Sequence, residues 1–323
     1  WIEPEMVNPQ SELYQKHPDW IITQPKRTPI LGRHQEILDL TRPEVQAFEW
    51  QVIDKTLRPN PDISYVKWDC NRYITQPGSG YLQPAEQSHL WIDYNWALYR
   101  LMERFSKEFP NVMAMLCAGG SGRVDYGALP YFHSFWPSDN TDPLGRIKIQ
   151  WGFSHFFPAS TISAHVTRMG KRHLKLAIDV ALSGAFGIDL ALDKATAEER
   201  VQIADAVKLY KASIRPLVMQ GELYRLVSPY EHPMASLSYV STDKNDAVVY
   251  LYQIQDGSVP QVILGGLDAR KNYRVEEVGL PKGSTSRFPG HGKIFSGAEL
   301  MSTGIANPLN AQFESAILLL KTQ

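Results

Sequence analysis

Short apolar runs alternate with longer stretches of helical periodicity from the first residue to about residue 195. The runs fall near residues 1–3, 37–40, 65–68, 112–116, 132–136, 162–165 and 187–190, and each reads as a strand. Between them, residues 43–54 place Val45, Phe48, Val52 and Ile53 on one helical face, with Pro43 suited to a first turn. Residues 91–109 carry Tyr94, Leu98, Leu101, Met102 and Phe105 at helical spacing, and residues 174–182 form another apolar helix. A capping-box pattern from Thr196 to Glu199 opens a long helix that includes Val201, Ile203, Ala204, Val207 and Leu209. Strand and helix in alternation predict β/α units with a parallel sheet.

The rhythm changes near residue 226. SLSYVSTDKNDAVVYLYQIQ reads as a hairpin turning at residues 243–246. PQVILGGL, NYRVEEVGL and ESAILLLKTQ read as further strands, and no helical pattern of useful length remains. The expected division is a β/α portion over residues 1–226 and a small all-β sandwich over residues 227–323.

A chain of 323 residues has room for such a pair of domains. Its net charge of −1 gives no electrostatic case for nucleic acid or an anionic membrane surface. No apolar run nears the roughly 18–20 residues that span a bilayer. Cys70 and Cys117 make neither a disulfide scaffold nor the spacing of a zinc site. The opening WIEPEMVNP has no initiator Met and no signal peptide, and reads like the middle of a longer protein, so the compartment stays open.

Chemistry enters at the ends of the strands. YVKWDCNR runs from a buried strand pattern straight into Lys67, Asp69 and Asn71. The first run leads to Glu3 and Glu5, and the fourth to CAGGSGRVDYG with Cys117, Gly119, Gly120, Arg123 and Asp125. The fifth leads to SDNTD with Asp139 and Asp142, and later ones to His165, Asp189 and Asp193. In β/α barrels such strand ends share one rim. Two carboxylates from different strands, with Lys and Arg close by, suit glycoside hydrolysis, in which one acid protonates the leaving oxygen and the other stabilises or attacks the sugar carbon. Lys67 beside Asp69 favours its ionised form, as a nucleophile needs, while Asp139 follows Trp136, Pro137 and Ser138, a less basic setting that suits an acid. Gly119 and Gly120 would let the backbone come close to a sugar. Taken singly, each acid has a plainer reading. Asp142 before Pro143, and Asp39 before Pro43, look like helix caps; Glu3 and Glu5 like salt-bridged structure; His165 like a hydrogen-bonded core residue; Trp68 and Trp136 like core or pocket wall.

WIEPEMVNP, GRHQEILDL, YVKWDCNR, CAGGSGRVDYG and SDNTD, in this order, resemble the α-galactosidases of glycoside hydrolase family 36. The resemblance implies an α/β fold: a (β/α)8 TIM-type barrel followed by a small all-β sandwich, working without metal or other cofactor by a retaining double displacement. It makes Asp69 the nucleophile and Asp139 the general acid/base, with Asp142 as the rival for the second role. It assigns Lys67 and Arg33 to galactose hydroxyls and Trp1 to the pocket lining, with Cys117 and Gly120 around the 2-hydroxyl. Arg123 and Asp125 would hold the nucleophile and the neighbouring hydroxyl, and Asn71 would contact a hydroxyl or support one from behind. The implied substrate is terminal α-linked galactose on raffinose-type oligosaccharides, and the implied partners are such sugars and further copies of the chain. An α-N-acetylgalactosaminidase and a non-catalytic sugar-binding fragment are the alternatives. A metal-dependent barrel hydrolase would require a His cluster, and only His165 is suitably placed. The family pattern also sets a β domain, two barrel strands and a DDGW-type element ahead of the WIEPEM segment. The barrel is therefore expected to be N-terminally incomplete in this chain, with exposed sheet edges. Cys70 stands where Met is usual.

Overall fold

The computed structural model describes residues 1–257 and 259–323. It contains two compact units, Trp1–Asp139 and Asn140–Gln323.

In the first unit a parallel sheet runs Tyr65–Trp68, Met113–Leu116, Ser134–Phe135. Ile2 extends it on the other side through a parallel bridge to Trp68, its N–H donating to the Lys67 carbonyl and its carbonyl accepting from Asp69. The spatial order thus follows the chain order, the arrangement that β/α crossovers produce. Helix Pro43–Leu57 and helix Leu90–Glu108 fill two of the crossovers. Trp68 is fully buried, with Phe105 and Phe132 set edge-on, each 5.9 Å away between ring centres. That aromatic cluster ties the centre of the sheet to the longer helix and stiffens the position next to Asp69.

Two expected strands are much reduced. The first run contributes only the Ile2 bridge, because Pro4 has no N–H to give and the chain turns at once, Met6 N–H donating to the Glu3 carbonyl. The run at 37–40 is reduced to Glu36–Ile37, antiparallel to Met6–Val7, and an antiparallel bridge from Leu38 to Ile21. Buried Asp39 ends it by accepting from the backbone N–H and hydroxyl of Thr41 and the hydroxyl of Ser79, a turn that launches the helix at Pro43.

In the second unit Ser163–Val166 pairs in parallel with Ala185–Ile188, and helices Pro143–Phe153 and Leu174–Ala181 flank this pair in the chain. The long helix begins at Ala197 behind the Thr196–Glu199 capping box and continues through a π-turn at Tyr210–Ile214 to Gln220. Six antiparallel strands follow, ordered Ile294–Ser296, Asn272–Val278, Ser315–Thr322, Asp246–Gln253, Met234–Val240, Glu222–Val227. A short ribbon, Gln261–Val262 with Ile305–Ala306, packs its Val262 and Ile305 against one face. The other face meets helix Leu174–Ala181, where Tyr239, Tyr250 and Tyr252 donate to the carbonyls of Ser183, Leu182 and Asp179. Burial on both faces is why Asp246–Gln253 reads as a continuous apolar run. The fold is therefore mixed α/β, with a parallel part and a C-terminal antiparallel β domain.

Candidate active site

Asp69 follows directly on the buried strand Tyr65–Trp68 and is 1% exposed. The Cys70 N–H donates to it at 2.8 Å, and the side chains of Asn71 and Cys117 hydrogen-bond to it as well. Lys67 points the same way, with its ammonium 3.6 Å from the carboxylate. Burial alone would raise the pKa of Asp69, but the hydrogen bonds from Asn71, Cys117 and Cys70 and the charge of Lys67 outweigh it, so the net shift is downward. The opposite holds for Cys117, which is 1% exposed: burial, with the adjoining Asp69 carboxylate, pushes its thiol up to about 12. It therefore stays protonated and donates. Lys67 is held from two further sides, 3.7 Å from the centre of the Trp1 ring and 5.3 Å from that of Trp136.

Asp139 lies on the loop after strand Ser134–Phe135. The Trp136 indole N–H donates to one of its oxygens at 3.1 Å, and Arg33 lies 3.7 Å from the other. Arg33 also donates to the side-chain amide oxygen of Asn71 at 2.6 Å, so one guanidinium connects the two carboxylate regions. It sits in an unusual turn. Gly32 and Gln35 exchange backbone hydrogen bonds, and Arg33 and His34 between them have φ values of 51° and 62°. Such a two-residue turn normally carries Asn-Gly. Placing Arg and His there costs about 1 kcal/mol or more each. The turn aims Arg33 at Asn71.

Gly120 has φ 104°, and an added Cβ would lie 3.1 Å from the Ser138 Cα and 3.6 Å from the Asp139 backbone nitrogen. The glycine is what lets the two loops touch. Gly120→Ala is expected to cost roughly 1–3 kcal/mol, read as a lower urea midpoint. Equal stability would show that the loops have slack.

The sequence-derived residues Trp1, Arg33, Lys67, Asp69, Asn71, Cys117, Gly120 and Asp139 thus gather around the end of one sheet. Arg123 lies beneath them: it pairs with buried Glu5 and donates to the Cys117 carbonyl at 2.9 Å. Asp125 is engaged elsewhere, accepting from the Tyr99 hydroxyl at 2.9 Å and the Ala128 N–H at 2.8 Å. Asp142 caps helix Pro143–Phe153 through the Leu144 N–H and pairs with Arg172 at 3.3 Å.

Sequence reasoning named Glu3 and Trp136 without the contacts they make, and passed over Glu49. Glu3 accepts from Asn71 at 2.8 Å and Gln35 at 3.2 Å, which orients the amide that serves Asp69. The Trp136 indole binds Asp139. Glu49 lies fully buried on the helix face made by Val45, Ile53 and Leu57, and burial, then the charge of Glu5, pushes its pKa well up against the opposing effect of Arg123. A charged residue four positions from two apolar ones on a core face was the available signal for Glu49. Among the described residues no group of three or more His, Cys, Asp and Glu side chains is arranged to hold a metal ion.

Comparison with known proteins gives a consistent picture. A family model for melibiases matches residues 1–221, and one for the glycosyl hydrolase family 36 C-terminal domain matches residues 234–320. The α-galactosidase AgaA of Geobacillus stearothermophilus is 38% identical over 317 residues, covering 95% of this chain and 41% of that protein. α-Galactosidase 2 of Hypocrea jecorina is 34% identical over 336 residues, covering 100% and 41%. A crystal structure of a doubly substituted AgaA from Geobacillus stearothermophilus in complex with raffinose superposes with a TM-score of 0.90 at 36% identity, covering 100% of this chain and 44% of that one. Another, in complex with stachyose, gives 0.90 at 37% identity, with coverage of 100% and 44%. This chain therefore spans about two fifths of the length of these relatives.

Proposed function

Because this chain belongs to the melibiase family, we propose that it carries the catalytic carboxylates of a retaining exo-α-galactosidase acting on raffinose-type oligosaccharides. The observation that supports this most is Asp69: a buried carboxylate at a strand end, kept ionised by Lys67, Asn71, Cys117 and the Cys70 N–H, and linked through Asn71 and Arg33 to Asp139. In this reading the ionised Asp69 attacks the anomeric carbon and forms a galactosyl ester. Asp139, more open to solvent, protonates the departing glycosidic oxygen and then deprotonates the water that cleaves the ester. Lys67 and Arg33 bind galactose hydroxyls, Trp1 walls the pocket, and Cys117 and Gly120 bound the space by the 2-hydroxyl. Arg123 supports the nucleophile from below, and Asp125 holds the loop through Tyr99 and Ala128. The complexes of AgaA with raffinose and stachyose support the substrate class.

The proposed architecture is a barrel portion over residues 1–226 and a β-sandwich domain over residues 227–323. The two family-model matches, residues 1–221 and 234–320, support that division.

The test is hydrolysis of p-nitrophenyl α-galactoside by the full-length protein, followed by proton NMR of the first galactose released. Retention gives the α-anomer first, and initial release of β-galactose would overturn the mechanism.

Asp139→Ala separates the acid from the nucleophile. Its kcat/KM on an α-galactosyl disaccharide should fall roughly 10²–10⁴-fold. The loss should be smaller on the p-nitrophenyl substrate, whose leaving group needs little protonation. The same pattern from Asp142→Ala instead would move the acid/base role to Asp142.

A further inference from the structure

Glu5 is fully buried, so it is no surface salt bridge and no direct contact for a sugar. One of its oxygens accepts from the Trp68 indole N–H at 2.9 Å, and the other binds the Arg123 guanidinium. Arg123 uses its second terminal nitrogen on the Cys117 carbonyl at 2.9 Å. Cys117 closes the circuit by donating its own N–H to the Trp68 carbonyl at 2.9 Å. Glu5, Trp68, Cys117 and Arg123 therefore form a closed ring of hydrogen bonds. Two members of the ring bear directly on the nucleophile. Trp68 precedes Asp69 in the chain, and the Cys117 side chain hydrogen-bonds to the Asp69 carboxylate.

We propose that Glu5 is a positioning residue for Asp69, clamping through Trp68 and Arg123 the strand end that presents the nucleophile and the loop that sets Cys117 against it. The proposal rests on the assignment of Asp69 as nucleophile. A carboxylate suits the task because it accepts on two oxygens at once, and a guanidinium because it donates to two acceptors along a fixed fork. Burial of the ring keeps water from replacing either bond. Glu3, two residues earlier, braces the other flank through Asn71. The Glu-Pro-Glu segment thus supports Asp69 from both sides. The plainer reading is that Glu5 only neutralises a buried arginine.

The two readings differ in what Glu5→Gln does to the full-length enzyme. Glutamine keeps an acceptor for the indole but faces Arg123 with an amide that cannot pair with it. Positioning predicts a kcat on p-nitrophenyl α-galactoside lower by roughly 10–100-fold, the scale of a misplaced reacting group, with KM within about twofold. It also predicts an acid limb of kcat/KM moved to higher pH, because Asp69 loses the hydrogen bond of Cys117. Glu5→Asp, which keeps the charge, should recover part of the kcat. If Glu5→Gln does not fold, Arg123→Lys carries the test, since lysine keeps the charge but cannot bridge Glu5 and the Cys117 carbonyl. A lower melting temperature with unchanged kcat and unchanged pH profile, in whichever variant folds, overturns the proposal. Wild-type protein run in parallel keeps the cases apart: an inactive wild type rejects the α-galactosidase reading itself, and an active wild type with unaltered variants rejects only the role of Glu5.

Discussion

Replacing Asp69 with alanine is expected to lower kcat/KM on p-nitrophenyl α-galactoside by on the order of 10⁴-fold or more, the scale seen when an essential nucleophile is removed. Added azide should restore part of the turnover and yield β-galactosyl azide, because the small anion enters from the vacated side. Stability gives an independent readout. The pKa of Asp69 is lowered on folding, burial being outweighed by hydrogen bonds from Asn71, Cys117 and Cys70 and by Lys67. A lowered carboxyl pKa contributes stability above the unfolded value, and that contribution is lost as pH falls through the folded one. Asp69→Asn should therefore unfold more readily than wild type at pH 7, and the gap should close in acid. Retained hydrolysis in both variants would assign the nucleophile elsewhere. A stability gap independent of pH would mean that Asp69 acts through packing rather than charge.

The strand end that carries Asp69 was readable in the sequence because its determinants are local. YVKW alternates toward a buried Trp68, and the polar residues begin where the strand stops. Helices 90–108 and 197–209 were readable for the same reason, through apolar spacing in one and a capping box in the other. Helix Pro143–Phe153 was not. Its core face includes Arg146 and Gln150, so no apolar stripe marks it. The helix at 43–57 was found, but its buried face is Val45, Glu49, Trp50, Ile53 and Leu57 rather than the one through Phe48 and Val52. Phe48 and Val52 are half-buried, and the buried face turns toward Glu49, which an apolar pattern does not mark. Roles fixed by residues distant in the chain could not be read at all. Glu5 meets Arg123 across 118 positions and Trp68 across 63, and nothing in WIEPEM alone distinguishes its two glutamates. Cys117 as a donor to Asp69 is of the same kind, since the two follow the ends of neighbouring strands.

The buried cluster under the site yields the second large effect. Arg123→Met is expected to destabilise the fold by about 3–5 kcal/mol, as when one partner of a buried ion pair is removed. Methionine fills much of the space but leaves the Glu5 carboxylate with the Trp68 indole alone, beside a second buried carboxyl on Glu49. Both Glu49 oxygens are buried without a hydrogen-bond partner among the described residues. Burial, then the charge of Glu5, raises the pKa of Glu49 well above the usual carboxylate range, and Arg123 opposes that rise. The sign follows from linkage: a raised folded pKa contributes stability below the unfolded value, and the contribution is lost as pH rises through the folded one. Removing Arg123 takes away the cation that opposes the rise at Glu49, so the destabilisation should be larger at pH 8 than at pH 5. Glu49→Gln should do the reverse, matching wild type in acid and exceeding it at pH 8. Urea unfolding of the three proteins at the two pH values checks both statements. Equal loss for Arg123→Met at pH 5 and pH 8 would mean that arginine serves this core by filling space, and that its charge is incidental.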